Sequence, residues 1–177
     1  LGEACHGLAQ LGEAEAAYRR ALELEPDAGA ANNLGILLSG RRRFDDAVSY
    51  YRQALLLRPG YPEAHNNLAI ALMEQGRLDE AVEACRQALR AKPDYPAACS
   101  NLGTALARRG EIREAEHWFR EAARLQPHFV QALLNLGNFL RTAGRREEAA
   151  DAYRRALEAE PRSAAIHSEL GVTLMEL

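Results

Sequence analysis

The amino-acid sequence predicts an all-α fold, in which antiparallel helix pairs repeat to form a solenoid. Prolines recur at intervals of 33, 34, 34 and 34 residues by subtraction, namely at Pro26, Pro59, Pro93, Pro127 and Pro161. Each interval contains two stretches in which small and apolar residues have helical spacing. A fixed period of this length indicates units that are too small to bury their own apolar faces and therefore stack on their neighbours.

The first helix of each unit is predicted from a leucine followed by a small residue. In the first complete unit this helix runs from about Ala28 to Arg41. The leucines are Leu1, Leu34, Leu68, Leu102, Leu136 and Leu170, and the small residues after them are Gly2, Gly35, Ala69, Gly103, Gly137 and Gly171. A small residue beside a large one predicts a close contact between this helix and another.

The second helix of the first complete unit is predicted from about Asp45 to Arg58. In each second helix an alanine is followed after four residues by a core residue, and after three more by another alanine, so all three share one face. The core residues are Tyr18, Tyr51, Cys85, Phe119 and Tyr153. A carboxylate just before the first alanine lies in the first turn, where the helix dipole favours negative charge.

The turns and repeat boundaries follow from glycine and proline. Gly76, Gly110 and Gly144 predict that the first helices end in a left-handed residue, which glycine adopts without a side-chain clash. The prolines end the second helices because they lack an amide hydrogen. We therefore predict a single array over residues 1–177. Its full repeats are 28–61, 62–95, 96–129 and 130–163, with truncated repeats 1–27 and 164–177 at the two ends.

Composition and charge exclude several classes of function. The chain has 22 Lys and Arg residues against 25 Asp and Glu residues, and this net charge of −3 argues against a nucleic-acid-binding surface. An uninterrupted apolar stretch of about 18 residues, which could span a bilayer, does not occur. The N-terminal residues lack the pattern of a signal peptide, so we expect a cytoplasmic protein without a membrane partner.

The sequence also gives no indication of an enzyme, a metal site or a cofactor. Three cysteines without CxxC spacing fit neither a disulfide framework nor a zinc site. His65 and His167 occupy a packing column, and Cys5 and Cys85 occupy core columns, so we interpret them as structural. Motifs for a serine nucleophile, a phosphate-binding loop or a dinucleotide site are absent. We therefore expect a non-catalytic protein with no cofactor.

The combination of Leu-Gly, Ala-aromatic-Ala and a closing proline resembles the tetratricopeptide repeat along essentially the full chain. This resemblance implies a right-handed superhelix whose first helices line a concave groove that binds a protein or peptide. The fuller pattern, with the doublets Asn32-Asn33 and Asn66-Asn67, looks most similar to the repeat region of O-linked N-acetylglucosamine transferases. In that family an asparagine array holds the backbone of the substrate peptide.

The resemblance implies a set of groove residues that would hold an extended peptide. An asparagine column, Asn33, Asn67, Asn101 and Asn135, would bind the peptide backbone or would make internal hydrogen bonds, and the sequence leaves both open. Its neighbours Asn32, Asn66, Ser100 and Thr104 would also face the groove. Ile36, Ile70 and Met73 would accept an apolar side chain. Arg108, Asn138 and Arg141 would meet an acidic or polar residue.

Two alternatives to a peptide-binding scaffold remain at this stage. The chain could be the substrate-recognition arm of a larger glycosyltransferase of the O-linked N-acetylglucosamine type. It could also be a structural array that associates end to end with other copies through exposed terminal helices.

Overall fold

The computed structural model describes the backbone of residues 2–177 and the side chains from residue 10 onward, so Leu1 and the side chains of Cys5 and His6 lie outside the described residues. All regular secondary structure in this part of the chain is α-helical. The helices are α1 (Gly2–Leu24), α2 (Ala28–Gly40), α3 (Phe44–Leu57), α4 (Pro62–Glu74), α5 (Leu78–Ala91), α6 (Pro96–Arg109), α7 (Ile112–Leu125), α8 (Val130–Thr142), α9 (Arg146–Ala159) and α10 (Ala164–Met175).

The chain divides into two compact units, the N-terminal unit Leu1–Ala91 and the C-terminal unit Lys92–Leu177. In the N-terminal unit α2 packs on α3 and α4 packs on α5, and in the C-terminal unit α6 packs on α7 and α8 on α9. Successive pairs also contact each other through α3 with α4 and through α7 with α8. The predicted helix pairs are confirmed, and the assignment of all 177 residues to one array stays a prediction.

The predicted helix ends are confirmed at both kinds of turn. Each of the five periodic prolines lies two residues after the last residue of a helix. Gly76, Gly110 and Gly144 have φ angles of 74°, 88° and 77°, in the left-handed region. The same turn is closed in the first complete unit by Arg42, whose φ is 60°. This residue carries a Cβ in a conformation that costs a residue other than glycine about 1–2 kcal/mol.

The first predicted partial repeat differs from the others because α1 is one continuous helix. The repeat period places Ala9 at the position that Arg42 and Gly76 occupy in the following turns. Alanine has the highest helix propensity, and unlike glycine it disfavours the left-handed conformation that this turn requires. The chain therefore continues as helix through the position where the other repeats reverse direction.

Glycine and an aromatic ring set the distance between the two helices of a pair. A Cβ atom on Gly103 would lie 2.8 Å from Cδ1 of Phe119, and one on Gly137 would lie 2.6 Å from Cε1 of Tyr153. Such distances are far below van der Waals contact, so only glycine permits the ring to lie flat against the opposing backbone. The rings of Phe119 and Tyr153 are almost completely buried.

The pair α4 and α5 reaches the same packing with different residues. Cys85 stands where the other second helices have an aromatic ring, and Ala69 stands where the facing first helix otherwise has glycine. Both side chains are completely buried. The smaller thiol leaves room for the extra methyl group, so the two exceptions to the repeat pattern compensate each other.

At two of the turns an arginine ties a second helix to a helix of the preceding repeat. Arg43 Nε donates to Asp46 Oδ2 over 2.8 Å, and its Nη1 donates to Glu15 Oε1 over 2.9 Å. In the C-terminal unit Arg145 Nε donates to Glu148 over 2.7 Å, and its Nη1 donates to Glu116 over 2.6 Å. One guanidinium thus joins the first turn of its own helix to a carboxylate of the preceding repeat.

We predict that the exchange Cys85→Tyr is tolerated only together with Ala69→Gly. The tyrosine ring alone would clash with the Ala69 methyl group and lower the free energy of unfolding by about 1–3 kcal/mol. The double variant recreates the pair found at Gly137 and Tyr153, so we expect it to recover at least half of that loss. Thermal and urea unfolding of the single and double variants measures the coupling. Additive effects of the two exchanges would contradict this packing.

We also predict an acid-sensitive contribution from the turn arginines. The Arg145 guanidinium lowers the pKa of Glu148 below its ordinary value of 4.5, and Arg77 does the same for Glu80. Because the pKa is lower in the folded state, the stabilisation is present above about pH 4.5 and is lost as the pH falls through the folded pKa. Thermal midpoints should therefore fall less steeply below pH 4.5 in Glu148→Gln than in the parent. Glu147→Gln is the matched control and should keep the parent's slope.

Candidate functional site

The predicted asparagine column of the N-terminal unit forms a hydrogen bond between successive first helices. Asn67 on α4 donates from Nδ2 to Asn32 Oδ1 on α2 over 3.0 Å. Asn32 and Asn66 are buried, Asn67 is half-buried and Asn33 is exposed. An asparagine amide carries two donor hydrogens and one acceptor oxygen, and the bond to Asn32 uses one of those hydrogens.

The C-terminal unit repeats this arrangement with a serine in place of the acceptor asparagine. Asn135 on α8 donates from Nδ2 to Ser100 Oγ on α6 over 2.9 Å, and Gln131 Nε2 donates to Asn135 Oδ1 over 3.0 Å. Ser100 is buried, whereas Asn101 and Asn135 are half-buried. Of the two roles left open for this column, internal hydrogen bonding is present at Asn67 and Asn135.

The three predicted apolar positions separate into two groups. Ile36 on α2 is 47% exposed and Ile70 on α4 is 39% exposed. They lie one repeat apart, each three residues after a member of the asparagine column. Met73 is only 5% exposed and packs into the interior of the N-terminal unit. The structure therefore offers two isoleucines, and not the methionine, to an apolar side chain from outside.

Four predicted groove residues of the C-terminal unit surround one open hollow of about 260 Å³. They are Thr104, Arg108, Asn135 and Asn138. Asn138 Oδ1 accepts a hydrogen bond of 2.6 Å from the Tyr153 hydroxyl, which fixes the orientation of its amide. Thr104 Oγ1 donates to the Ser100 carbonyl over 3.0 Å. The polar groups around the hollow are thus held in place by the helices behind them.

Arg141 does not join this set of groove residues. Its Nη2 lies 3.3 Å from Glu169 and its Nη1 lies 3.6 Å from Glu176, so it forms ion pairs with residues on α10 and at its end. Glu169 is the residue that replaces asparagine in the last member of the column. The exposed Arg108 is therefore the cation that borders the hollow.

Sequence reasoning missed the apolar part of the hollow. Phe119 and Phe139 line it with ring centroids 5.4 Å apart, and Ala107 and Thr142 complete it. Phe139 is the only aromatic residue at its position in the four complete repeats, since the others have Leu37, Ala71 and Ala105. An aromatic residue at one position of an otherwise small or aliphatic column was the available signal.

Two of the histidines bond to the backbone, and the two described cysteines are buried. Nε2 of His65 donates to the Pro59 carbonyl over 2.8 Å, and His167 makes the same bond to Pro161 over 3.0 Å. Cys85 and Cys99 are buried, and neither forms a disulfide. The described side chains contain no group of three His, Cys, Asp or Glu residues that could hold a metal ion. Among the described helices none is long and apolar enough to cross a membrane.

Comparison with known families identifies the repeat. Matches to the tetratricopeptide repeat cover residues 1–27, 32–96, 72–136 and 130–173. The chain belongs to the tetratricopeptide-repeat family. A search of curated proteins finds no match.

Several solved structures have the same fold. A thermophilic TPR protein of Thermus thermophilus, TTC0263, is 24% identical with a TM-score of 0.80, and the match covers 99% of this chain and 96% of that one. MamA is 23% identical with a TM-score of 0.76, covering 93% and 97%. YrrB, a TPR protein with an unusual peptide-binding site, is 25% identical with a TM-score of 0.69, covering 90% and 82%.

We predict that Cys85 and Cys99 do not react with thiol reagents in the folded protein at neutral pH. Both are buried, and burial raises the pKa of Cys99 to about 11, so almost no thiolate is present at pH 7. Ellman's reagent should label neither thiol in a Cys5→Ser variant until guanidinium unfolds the chain. Rapid labelling of the folded variant would contradict the burial of these residues.

Proposed function

We propose that this tetratricopeptide-repeat chain is a non-catalytic scaffold that binds an extended peptide segment of a partner protein along its first helices. The observation that carries the proposal is the bonding of Asn67 to Asn32 and of Asn135 to Ser100. Each bond orients an amide on the first-helix surface while a donor hydrogen of that amide is left for a ligand. An amide held in this way binds a peptide backbone without selecting its sequence.

The side chains beside the two amides supply the selectivity in this proposal. Ile36 and Ile70 give the N-terminal unit an apolar patch, since 47% and 39% of their surfaces are exposed. The hollow of the C-terminal unit combines Arg108 and Asn138 with the rings of Phe119 and Phe139. We therefore expect an apolar ligand residue to bind the N-terminal unit, and an acidic or polar residue to bind the C-terminal unit.

The asparagine pairs also support the second candidate, a substrate-recognition arm of an O-linked N-acetylglucosamine type of glycosyltransferase. In that case the bound peptide would be the segment to be modified, and the catalytic domain would be a separate part of the protein. Finding a nucleotide-sugar-binding domain in the same polypeptide would favour this candidate over a free-standing scaffold.

Self-association is the third candidate, and the exposed apolar residues of α10 support it. Val172 and Leu174 are 42% and 44% exposed, and Met175 is 90% exposed. The molecular mass is measured by sedimentation at increasing protein concentration. An end-to-end array is supported if this mass rises with concentration in the parent and stays at the monomer value in the variant Leu174→Ser/Met175→Ser. A constant monomer mass would exclude it.

The peptide-binding proposal is tested by retaining partners from a lysate, mapping their bound segments on peptide arrays and titrating the tightest peptide. We expect the double variant Ile70→Ser/Asn135→Ala to bind that peptide with a Kd more than about tenfold higher than the parent, which corresponds to roughly 1.4 kcal/mol of binding free energy. Ile70→Ser alone should change the free energy of unfolding by less than about 1 kcal/mol, because the side chain is exposed. Leu68→Ser is the matched control for stability, since Leu68 is buried on the same helix.

An affinity that stays at the parent value in the double variant would overturn the proposal. Partners could also be retained only by variants or fragments that have lost their helical circular dichroism signal. This result would overturn the proposal as well, because binding would then not require the folded first-helix surface.

A further inference from the structure

A second surface of the C-terminal unit carries a slot between its second helices. The slot has a volume of about 350 Å³ and lies between α7 and α9, with α8 beneath it. Its floor is apolar and consists of Ala123, Leu136, Leu140 and Ala152. These side chains differ from the groove residues, because Leu136 and Leu140 lie on a different face of α8 from Asn135 and Asn138.

Ala123 is an exception in a repeat column that otherwise carries leucine, whereas Ala152 shares the small side chain of Ala17 and Ala84 in its own column. Ala123 stands where the other second helices have Leu22, Leu55, Leu89 and Leu157. Ala152 stands where two of the preceding repeats have the aromatic residues Tyr50 and Trp118. The space that a leucine fills in the other second helices is left open beside Ala123, so an apolar side chain from another molecule can occupy it.

The N-terminal unit contains the equivalent slot and provides an internal comparison. It lies between α3 and α5, has a volume of about 240 Å³ and contains Leu55 and Ala84 at the two positions. Its rim carries Arg52, Glu80 and Glu83 and therefore has a formal charge of −1. With leucine at position 55 and only one alanine, this slot has a smaller volume than the slot of the C-terminal unit.

Arginines outnumber carboxylates among the residues that line the C-terminal slot. Arg120, Arg124 and Arg155 line it together with Glu148 and Asp151, which gives these five residues a formal charge of +1. Arg120 bridges Glu148 over 2.9 Å, as Arg52 bridges Glu80 over 2.8 Å in the other slot. Arg124 pairs with Glu121 at 2.6 Å, and its side chain is 66% exposed. The extra arginines stand where the N-terminal unit has Leu56 and Gln87.

We propose that the C-terminal slot is a second docking site, which takes a protein segment with one large apolar side chain flanked by acidic residues. The apolar side chain would enter between Ala123 and Ala152 and cover Leu136. The flanking carboxylates would meet Arg124 and Arg155 at the rim, where charge-assisted hydrogen bonds to guanidinium are favoured. This site is independent of the proposed peptide groove on the first helices.

The test uses a fluorescently labelled peptide with one phenylalanine between glutamates, titrated by fluorescence anisotropy. The variant Ala123→Leu copies the leucine of the other repeats. We expect it to raise the Kd for this peptide by more than about tenfold. Arg124→Leu/Arg155→Gln, which copies the N-terminal unit, should weaken it to a similar extent at low salt and less at high salt. Circular dichroism and thermal midpoints establish that both variants are folded.

Matched controls separate this site from the groove. The groove variant Ile70→Ser/Asn135→Ala should bind the labelled peptide as the parent does, and a peptide with lysines in place of the glutamates should not bind. No binding to the parent protein, or equal binding to Ala123→Leu and the parent, would overturn the proposal. A parent that dimerises while Arg124→Leu/Arg155→Gln stays monomeric would also overturn it, because the occupant would then be a second copy.

Discussion

The fold depends on how closely the first helix of each pair approaches the core residue of the second, which is an aromatic ring in three of the four complete pairs. Gly35, Gly103 and Gly137 allow this approach, since a Cβ atom there would overlap the facing ring. The ring fills the space between the helices and so fixes their separation and relative rotation. Within each unit the spacing of successive first helices brings Asn67 Nδ2 within 3.0 Å of Asn32 Oδ1 and Asn135 Nδ2 within 2.9 Å of Ser100 Oγ. The candidate site is therefore a consequence of core packing rather than of a loop.

The turn arginines act on the same geometry from the edge of the array. Arg43 and Arg145 each hold one carboxylate in their own helix and one in the preceding second helix. Individual exposed ion pairs contribute only about 0–1 kcal/mol. A guanidinium that bonds to carboxylates on two helices nevertheless restricts the rotation of one helix relative to the other. Small core residues alone do not restrict this rotation. Glu15 is only 6% exposed, so this contact also brings α1 against the α2–α3 turn.

The sequence predicted the helix pairs, their ends and the core columns, because each of these follows from local spacing and from the backbone limits of glycine and proline. It predicted a truncated repeat over residues 1–27, where the structure has the single continuous helix α1 with Ala9 at the turn position. It also left the role of the asparagines open. Their hydrogen-bond partners lie one repeat away. Which atoms come into contact depends on the distance and rotation between successive repeats, and the residues of one column do not predict these. The sequence also placed Met73 in the groove, whereas its side chain is buried.

Helix α8 contributes different faces to the two proposed binding surfaces. Asn135, Asn138 and Phe139 face the hollow on the first-helix side, while Leu136 and Leu140 form the floor of the slot between the second helices. Leu136 and Leu140 are 6% and 2% exposed, so they are held by the core and give a rigid floor. An apolar side chain entering the slot would meet atoms already fixed by Gly137 and Tyr153, whose contact it need not disturb. A solenoid can therefore present two ligand surfaces whose specificities change separately, since each depends on its own exposed columns and both rest on the same buried ones.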